Sequence, residues 1–386
     1  MNIKAKDSQY VANTYGRFPI EIVKGEGALL WDEAGKEYID MSSGIAVSTF
    51  GSCDREWVQA VEAQLHKVQH TSNLFYSAPQ AELAELLCTR TGMKKVFFGN
   101  SGAEANECAI KVARKYAADK KGAEYHTIIT LVNSFHGRTL TTLAATGQEV
   151  FHQDFLPLTE GFVHAPANDL AAVEALLKEH KVSAVMVEPV QGEGGVLPLT
   201  QEFCSGLQKI ADEQDILLMV DEVQTGNGRT GALYAYMNFG LHPDVVTTAK
   251  GLGGGLPIGA CLMGERVKDV LTPGSHGSTF GGNPIAAAGA LNILSRIDDA
   301  LLAEVRAKSA YVFEALSNAE GVKSVSGMGL MIGIETERPA GEVIAACHAK
   351  GVLVIKAKDK VRLLPPLNIT MEQLERAVAV IKECAQ

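Results

Sequence analysis

The chain has 386 residues, with 35 Lys+Arg against 45 Asp+Glu for a net charge of −10, and is 46% hydrophobic and 21% charged. That length suits about two globular domains with an ample core, and the acidic balance argues against nucleic acid or an anionic membrane surface as a partner. Seven scattered cysteines without a CxxC fit reduced thiols and not a disulfide framework or zinc site; with no spanning apolar stretch and no apolar signal core in MNIKAKDSQYVANTYGRFP, a cytoplasmic protein is expected.

In chain order, Val23–Trp31 and Lys36–Asp40 read as a hairpin around the turn Asp32-Glu33-Ala34-Gly35. His66 and His70 in HKVQH stand at helical i, i+4 spacing. The glutamate of HExxH is missing and no third ligand offers itself, so a solvated helix face is expected and no metal. Strands are predicted at KKVFFGN (94–100), HTIITLV (126–132), AVMVEPV (184–190), ILLMVDEV (216–223), DVVTTAK (244–250) and IGACLMG (258–264). Helices lie between them, such as 103–120, with Ala109, Val112, Ala113, Tyr116 and Ala117 on one face, and 201–215.

Near-continuous apolar strands alternating with helices predict an α/β fold whose mainly parallel sheet is covered on both faces. Ligands in such sheets collect at the carboxyl ends of the strands, where Asn100, Asp221 and Lys250 fall. From about Ile285 an alanine-rich helix opens a smaller C-terminal domain that ends in the helix MEQLERAVAVIKECA. The expected division is residues 1–50 packed beside the small domain, 51–284 as the large domain and 285–386 as the small one.

The motifs that carry chemistry cluster at those strand ends. Lys250 closes an apolar, β-branched run and opens into the glycine-rich AKGLGGG, a setting suited to imine chemistry. Asp221 ends another buried strand, where a carboxylate can keep a heteroaromatic nitrogen protonated. The pair suits pyridoxal phosphate (PLP); the plainer alternative is a surface lysine and a helix cap. GNSGAEANE (99–107) turns a strand into a helix whose N-terminus suits a phosphate, or Ser101 and Glu104 simply cap that helix. In FHGRT (135–139), Phe135 could cover an aromatic cofactor and Arg138 could clamp a carboxylate, or the segment is a polar loop over a buried phenylalanine. GSHGSTFGGNP (274–284) offers the hydroxyls of Ser278 and Thr279, with a flexible loop as the alternative. GNGRTG (226–231) matches GxGxxG but is rejected as a dinucleotide site. It starts four residues after its strand, no helix pattern follows, and Thr248 stands where the ribose carboxylate is expected.

Taken in order, SGAEAN, FHGR, EPVQGEGG (188–195), DEVQTGNGRTG (221–231), AKGLGGGLPIGA (249–260), GSTFGGNP and VRLLPP (361–366) resemble the class III aminotransferase family of PLP enzymes, in its acetylornithine/ornithine branch. The resemblance implies fold type I, with a large PLP domain, a small domain and an obligate homodimer whose active sites lie at the interface. It implies transfer of the δ-amino group of N2-acetylornithine to 2-oxoglutarate, in arginine biosynthesis. Carried over by motif, Lys250 would bear PLP as an imine, Asp221 would pair with the ring nitrogen, and Val223 and Gln224 would lie against the ring and its phenolic oxygen. Phe135 would stack on the ring, Gly102 and Ala103 would give phosphate amides, and Thr279 of the partner subunit a phosphate hydroxyl. Arg138 and Ser278 would contact acylated ornithine, Arg362 the α-carboxylate of glutamate or 2-oxoglutarate, and Glu193 would be the switch carboxylate that pairs with Arg362 when no α-carboxylate is there.

Two departures stand out: GSCDREW (51–57) replaces the family's GHxHP-like turn, and Asn227 stands where the family often has an apolar residue. Other donors for the same chemistry are ornithine, succinyl-diaminopimelate and 4-aminobutyrate. An aminomutase or a decarboxylase would be a different reaction on the same scaffold, and a colourless, cofactor-free protein would point to a non-enzymatic role.

Overall fold

The computed structural model describes residues 3–386. Its centre is a seven-stranded sheet in the order Lys95–Gly99, Gly259–Met263, Val245–Thr248, Leu217–Asp221, Val182–Val187, Thr127–Leu131 and Phe162–Ala165. Gly259–Met263 runs antiparallel to both neighbours, while the other pairings in the sheet are parallel. The strands at its centre are mostly apolar because both faces are covered. Alternate residues go to opposite cores: Leu218 and Val220 pack with Phe203, Leu207 and Ile210, while Leu217 and Met219 pack with Ala109, Val112 and Tyr116. The first set of partners comes from the helix Gln201–Gln214, the second from Gly102–Lys120, so each helix seals one face.

A second core joins the two ends of the chain. Ile39 and Met41 pack with Ile332, Val361, Leu374 and Ile381. The covering sheet runs Val322–Met328, Met331–Thr336, Lys360–Leu363, Ile355–Ala357. The N-terminal strands reach it through Val352–Leu353, which pairs in parallel with Glu37–Asp40. The helix Pro284–Arg296, read in the sequence as the start of the smaller domain, buries Ala286, Ala287, Ala290, Ile293 and Leu294 in the core of the large sheet.

Three local readings need correction. Val23–Trp31 is not one strand: Gly27, at φ +56°, breaks it into Ile22–Glu26 and Leu29–Asp32, which pair with each other. The strand expected over 184–190 stops at Val187, before Glu188-Pro189, and Val190–Gln191 forms a separate short ladder with Leu197–Pro198. His66 and His70 share no helix face, because the helix Arg55–Leu65 ends just before them. The GSCDREW turn serves that same helix: Asp54 caps it by accepting from the Trp57 amide. Among the described residues, no helix is long and apolar enough to cross a membrane.

Candidate active site

The parallel strands deliver their carboxyl ends to one edge of the sheet, and a cavity of about 450 Å³ opens there. Asp221 is the last residue of its strand, and Lys250 follows Val245–Thr248 by two residues, opening a tight turn at φ +47°. Both line the cavity together with Gly102, Ala103, Phe135, Arg138, Val223 and Gln224. Residues scattered over more than 140 positions of sequence therefore face one space.

Asp221 is held from three sides. Its Oδ1 accepts from the Val223 amide at 3.0 Å, and its Oδ2 accepts from Asn106 Nδ2 and lies against His136 Nδ1, each at 2.8 Å. Asn106 is itself fixed by donating to the His136 carbonyl at 2.7 Å and accepting from Thr247 Oγ1 at 2.6 Å. Burial alone would lower the His136 pKa, but the hydrogen bond and charge of Asp221 outweigh it and raise the group above its usual range. At Lys250 burial wins: the ammonium is pushed below its ordinary range, a shift that Glu193 and Asp221 oppose and Arg362 reinforces. A lysine that loses its proton readily is a usable nucleophile and base.

The helix Gly102–Lys120 starts at the cavity wall. Ser101 Oγ caps it by accepting from the Glu104 amide at 3.2 Å, as the simpler sequence reading held. Capping leaves other donors free: among the described residues, the amides of Gly102 and Ala103 have no acceptor within the chain. A Cβ on Gly102 would come within 2.6 Å of Val223 Cγ1, so only glycine lets the helix start sit this close to the Asp221 strand end. A lysine for an imine, a carboxylate for a ring nitrogen, an aromatic face at Phe135 and free amides at a helix N-terminus together fit PLP.

Deeper in, Gln224 joins this cavity to a second pair. Arg362 Nη1 donates to Glu193 Oε1 at 2.6 Å and to Gln224 Oε1 at 3.1 Å, while Gln224 Nε2 donates to Glu193 Oε1 at 3.3 Å. Burial would raise the Glu193 pKa, but the Arg362 charge and hydrogen bond outweigh it and hold the carboxyl below its usual range. Arg138 lines the cavity and is exposed, with its guanidinium 5.6 Å from the Phe135 ring centroid and 4.3 Å from that of Phe151.

Besides Glu193 and Arg362, which meet the cavity through Gln224, two expected residues stay outside its lining. Ser278 Oγ only touches the rim, accepting from Asn100 Nδ2 at 3.1 Å, and Thr279 is exposed without a hydrogen bond from its hydroxyl to the described chain. Others were missed from sequence. Glu188 is buried, and its carboxyl accepts from the amides of Phe135 at 2.8 Å and Gly192 at 3.4 Å, so it ties the Arg138 loop to the Glu193 loop. Burial pushes its pKa up, with the charge of His136 opposing. Asn106 and His136 lie inside the quoted motifs, but nothing local marks them as partners of Asp221.

The chain matches the family described as aminotransferase class-III over residues 10–385. An acetylornithine aminotransferase of Haemophilus ducreyi is 51% identical over 383 residues, covering 99% of this chain and 98% of its own. One from Bacillus subtilis is 45% identical, with 96% of each chain covered. Among solved structures, the ornithine aminotransferase from Toxoplasma gondii superposes with a TM-score of 0.95 at 33% identity, over 99% of this chain and 94% of that one. The N-acetylornithine aminotransferase from Stenotrophomonas maltophilia gives 0.86 at 35% identity, over 98% and 97%.

Proposed function

The chain belongs to the class-III aminotransferases, and from that premise we propose that it moves the δ-amino group of N2-acetyl-L-ornithine to 2-oxoglutarate, giving N-acetyl-L-glutamate 5-semialdehyde and L-glutamate. The reading places it in arginine biosynthesis, working towards acetylornithine, as a cytoplasmic enzyme. What carries the reading is one juxtaposition: Lys250 and Asp221 in a cavity flanked by a free arginine, Arg138, and a masked one, Arg362.

PLP, when bound, supplies an aldehyde carbon that condenses with amines and a ring that accepts electrons. Lys250 would hold it, Gly102 and Ala103 would meet its phosphate, Phe135, Val223 and Gln224 would flank its ring, and Asp221 would accept from its ring nitrogen. Once the substrate's amine has taken its place at the cofactor's aldehyde carbon, the freed Lys250 Nζ would take a proton from the carbon bearing that amine and deliver it to the former aldehyde carbon, which is general acid–base work by a tethered group. Asn106 and His136 keep Asp221 aimed while this happens. Arg138 orients acetylornithine by its carboxylate, with Ser278 contributed across the homodimer proposed below. Arg362 takes the α-carboxylate of 2-oxoglutarate once Glu193 has swung away.

The same proposal includes a homodimer with shared sites. It is supported by the idle hydroxyl of Thr279 and by the exposed run of Leu74 (89%), Phe75 (69%) and Tyr76 (107%), which suits burial against a second copy. Lys250→Ala and a Ser278→Ala/Thr279→Ala variant, each inactive, should regain activity when subunits exchange; no recovery after proven exchange would assign Thr279 to its own chain.

A panel of amine donors with 2-oxoglutarate, following glutamate, tests the substrate. Acetylornithine should exceed succinyl-diaminopimelate and 4-aminobutyrate. Ornithine is the second reading, favoured by the close likeness to the Toxoplasma fold, and faster turnover of ornithine would establish it instead. Borohydride reduction followed by peptide mapping should find the cofactor on Lys250, and an adduct on any other lysine would sink the assignment.

A further inference from the structure

Arg138 is a cation without an anion. Among the described residues no carboxylate pairs with it; its close partners are two ring faces, Phe135 at 5.6 Å and Phe151 at 4.3 Å, and those rings meet edge to face at 5.8 Å and 78°. Phe135 has a second task at the cofactor. Phe151 has none, since it does not line the cavity. It sits in the short turn Glu149–Phe151, and both flanks of that turn are anchored. Gln148 Nε2 donates to the Ser134 carbonyl at 3.0 Å, and His152 Nε2 lies 2.8 Å from the Thr146 carbonyl and 3.0 Å from that of Leu143. The turn that carries the ring is thus anchored on both sides by its own loop.

We propose that Phe151 is the positioning residue for Arg138 and thereby sets affinity for the carboxylate of the acylated donor, an inference that rests on the donor-binding role given to Arg138 above. An aromatic face holds a guanidinium by cation–π attraction while leaving its five N–H donors available. An acidic partner in the same place would compete with the substrate for those donors. The ring restrains the long arginine side chain without neutralising it, so less conformational freedom is lost when the carboxylate binds.

The test uses holoenzyme and measures the two half-reactions separately by rapid mixing, with acetylornithine in one and 2-oxoglutarate in the other. Phe151→Leu keeps apolar bulk and removes the ring; Phe151→Tyr keeps the ring. The leucine variant should lose roughly 2- to 30-fold in kcat/KM for acetylornithine, mainly through KM, the span that a cation–π contact covers. The 2-oxoglutarate half should stay within about twofold, and the tyrosine variant should restore the loss. In an Arg138→Ala background, Phe151→Leu should cost nothing further, because residues acting as one unit are not additive. Wild-type behaviour of Phe151→Leu, equal damage to both halves, or full additivity with Arg138→Ala would each overturn the inference. Arg138→Ala alone separates the two readings: if it spares the acetylornithine half, the donor-binding role of Arg138 fails; if it harms that half while Phe151→Leu does not, only the role of Phe151 fails.

Discussion

The two arginines that flank the cavity are held in opposite ways. Arg362 comes from the Lys360–Leu363 strand of the second sheet, is 3% exposed, and is paired with Glu193 and Gln224. Arg138 comes from a loop of the large sheet, is exposed, and rests on two aromatic rings with no counter-charge. A transaminase for a distal amine must accept one substrate by its far end and the other by its α-carboxylate, in the same space. A cation that must disappear in one half-reaction needs a removable anion beside it. A cation that meets its carboxylate in one half-reaction only, far from the chemistry, needs orientation and no mask. The difference in partners therefore matches the difference in duty proposed for the two arginines.

The sharpest way to break this contrast is to remove Arg362. Arg362→Ala removes the proposed partner of the α-carboxylate and leaves that carboxylate unpaired in a largely buried place, a loss of about 2–4 kcal/mol or roughly 30- to 1000-fold. The damage should fall on the 2-oxoglutarate half-reaction. Arg138→Ala should act on the acetylornithine half and cost less, about 1.5–3 kcal/mol, because the cation removed is solvated and leaves nothing buried unpaired. Stopped-flow rates for each half read both effects; equal losses in both halves for both variants would dissolve the division of labour.

Glu193→Gln sharpens the contrast from the other side. It removes the mask and keeps the shape, so Arg362 stays charged and open in both half-reactions. L-Glutamate as donor should improve or hold, while acetylornithine weakens several-fold, as expected for one partly exposed ion pair of about 1 kcal/mol. A variant whose donor preference does not move would show that Glu193 is no switch.

The large sheet was readable because its chemistry is periodic. Runs such as 217–220 are apolar at every position, and the carboxyl ends that follow from a parallel sheet place Asp221 and Lys250 on one edge. Where the backbone breaks a run without breaking its hydrophobicity, the sequence misleads: Gly27 looks like one more small residue inside Val23–Trp31 until its positive φ makes it a turn. The supports of the site were hidden for a different reason. Glu188 meets the Phe135 amide 53 positions away, and Asn106 meets Asp221 115 positions away; no local pattern encodes either meeting. Phe151 is near Arg138 in sequence, but ring-to-guanidinium contact across an irregular loop has no spacing rule to reveal it.

The smallest expected effect is also the one that needs no substrate. Burial would raise the Glu193 pKa, yet Arg362 holds it below the ordinary 4.5. A carboxyl whose folded-state pKa is depressed binds fewer protons in the folded than in the unfolded chain across that interval. Its contribution to stability is therefore fully present above the unfolded value, and is lost as pH falls through the folded one. Its side chain is 28% exposed, so solvent screening keeps the term on the order of 1 kcal/mol. Urea unfolding of apoprotein should show wild type more stable than Glu193→Gln at pH 7, with the gap closing in acid only as pH falls below the ordinary carboxylate range and through the depressed folded-state value, where Glu193 too becomes neutral. Arg138→Ala gives the contrast: with no carboxylate partner to lose, its difference from wild type should stay flat across the same range. A gap for Glu193→Gln that does not close in acid, or one for Arg138→Ala that does, would mean that the charge of Glu193 is not what distinguishes the two arginines.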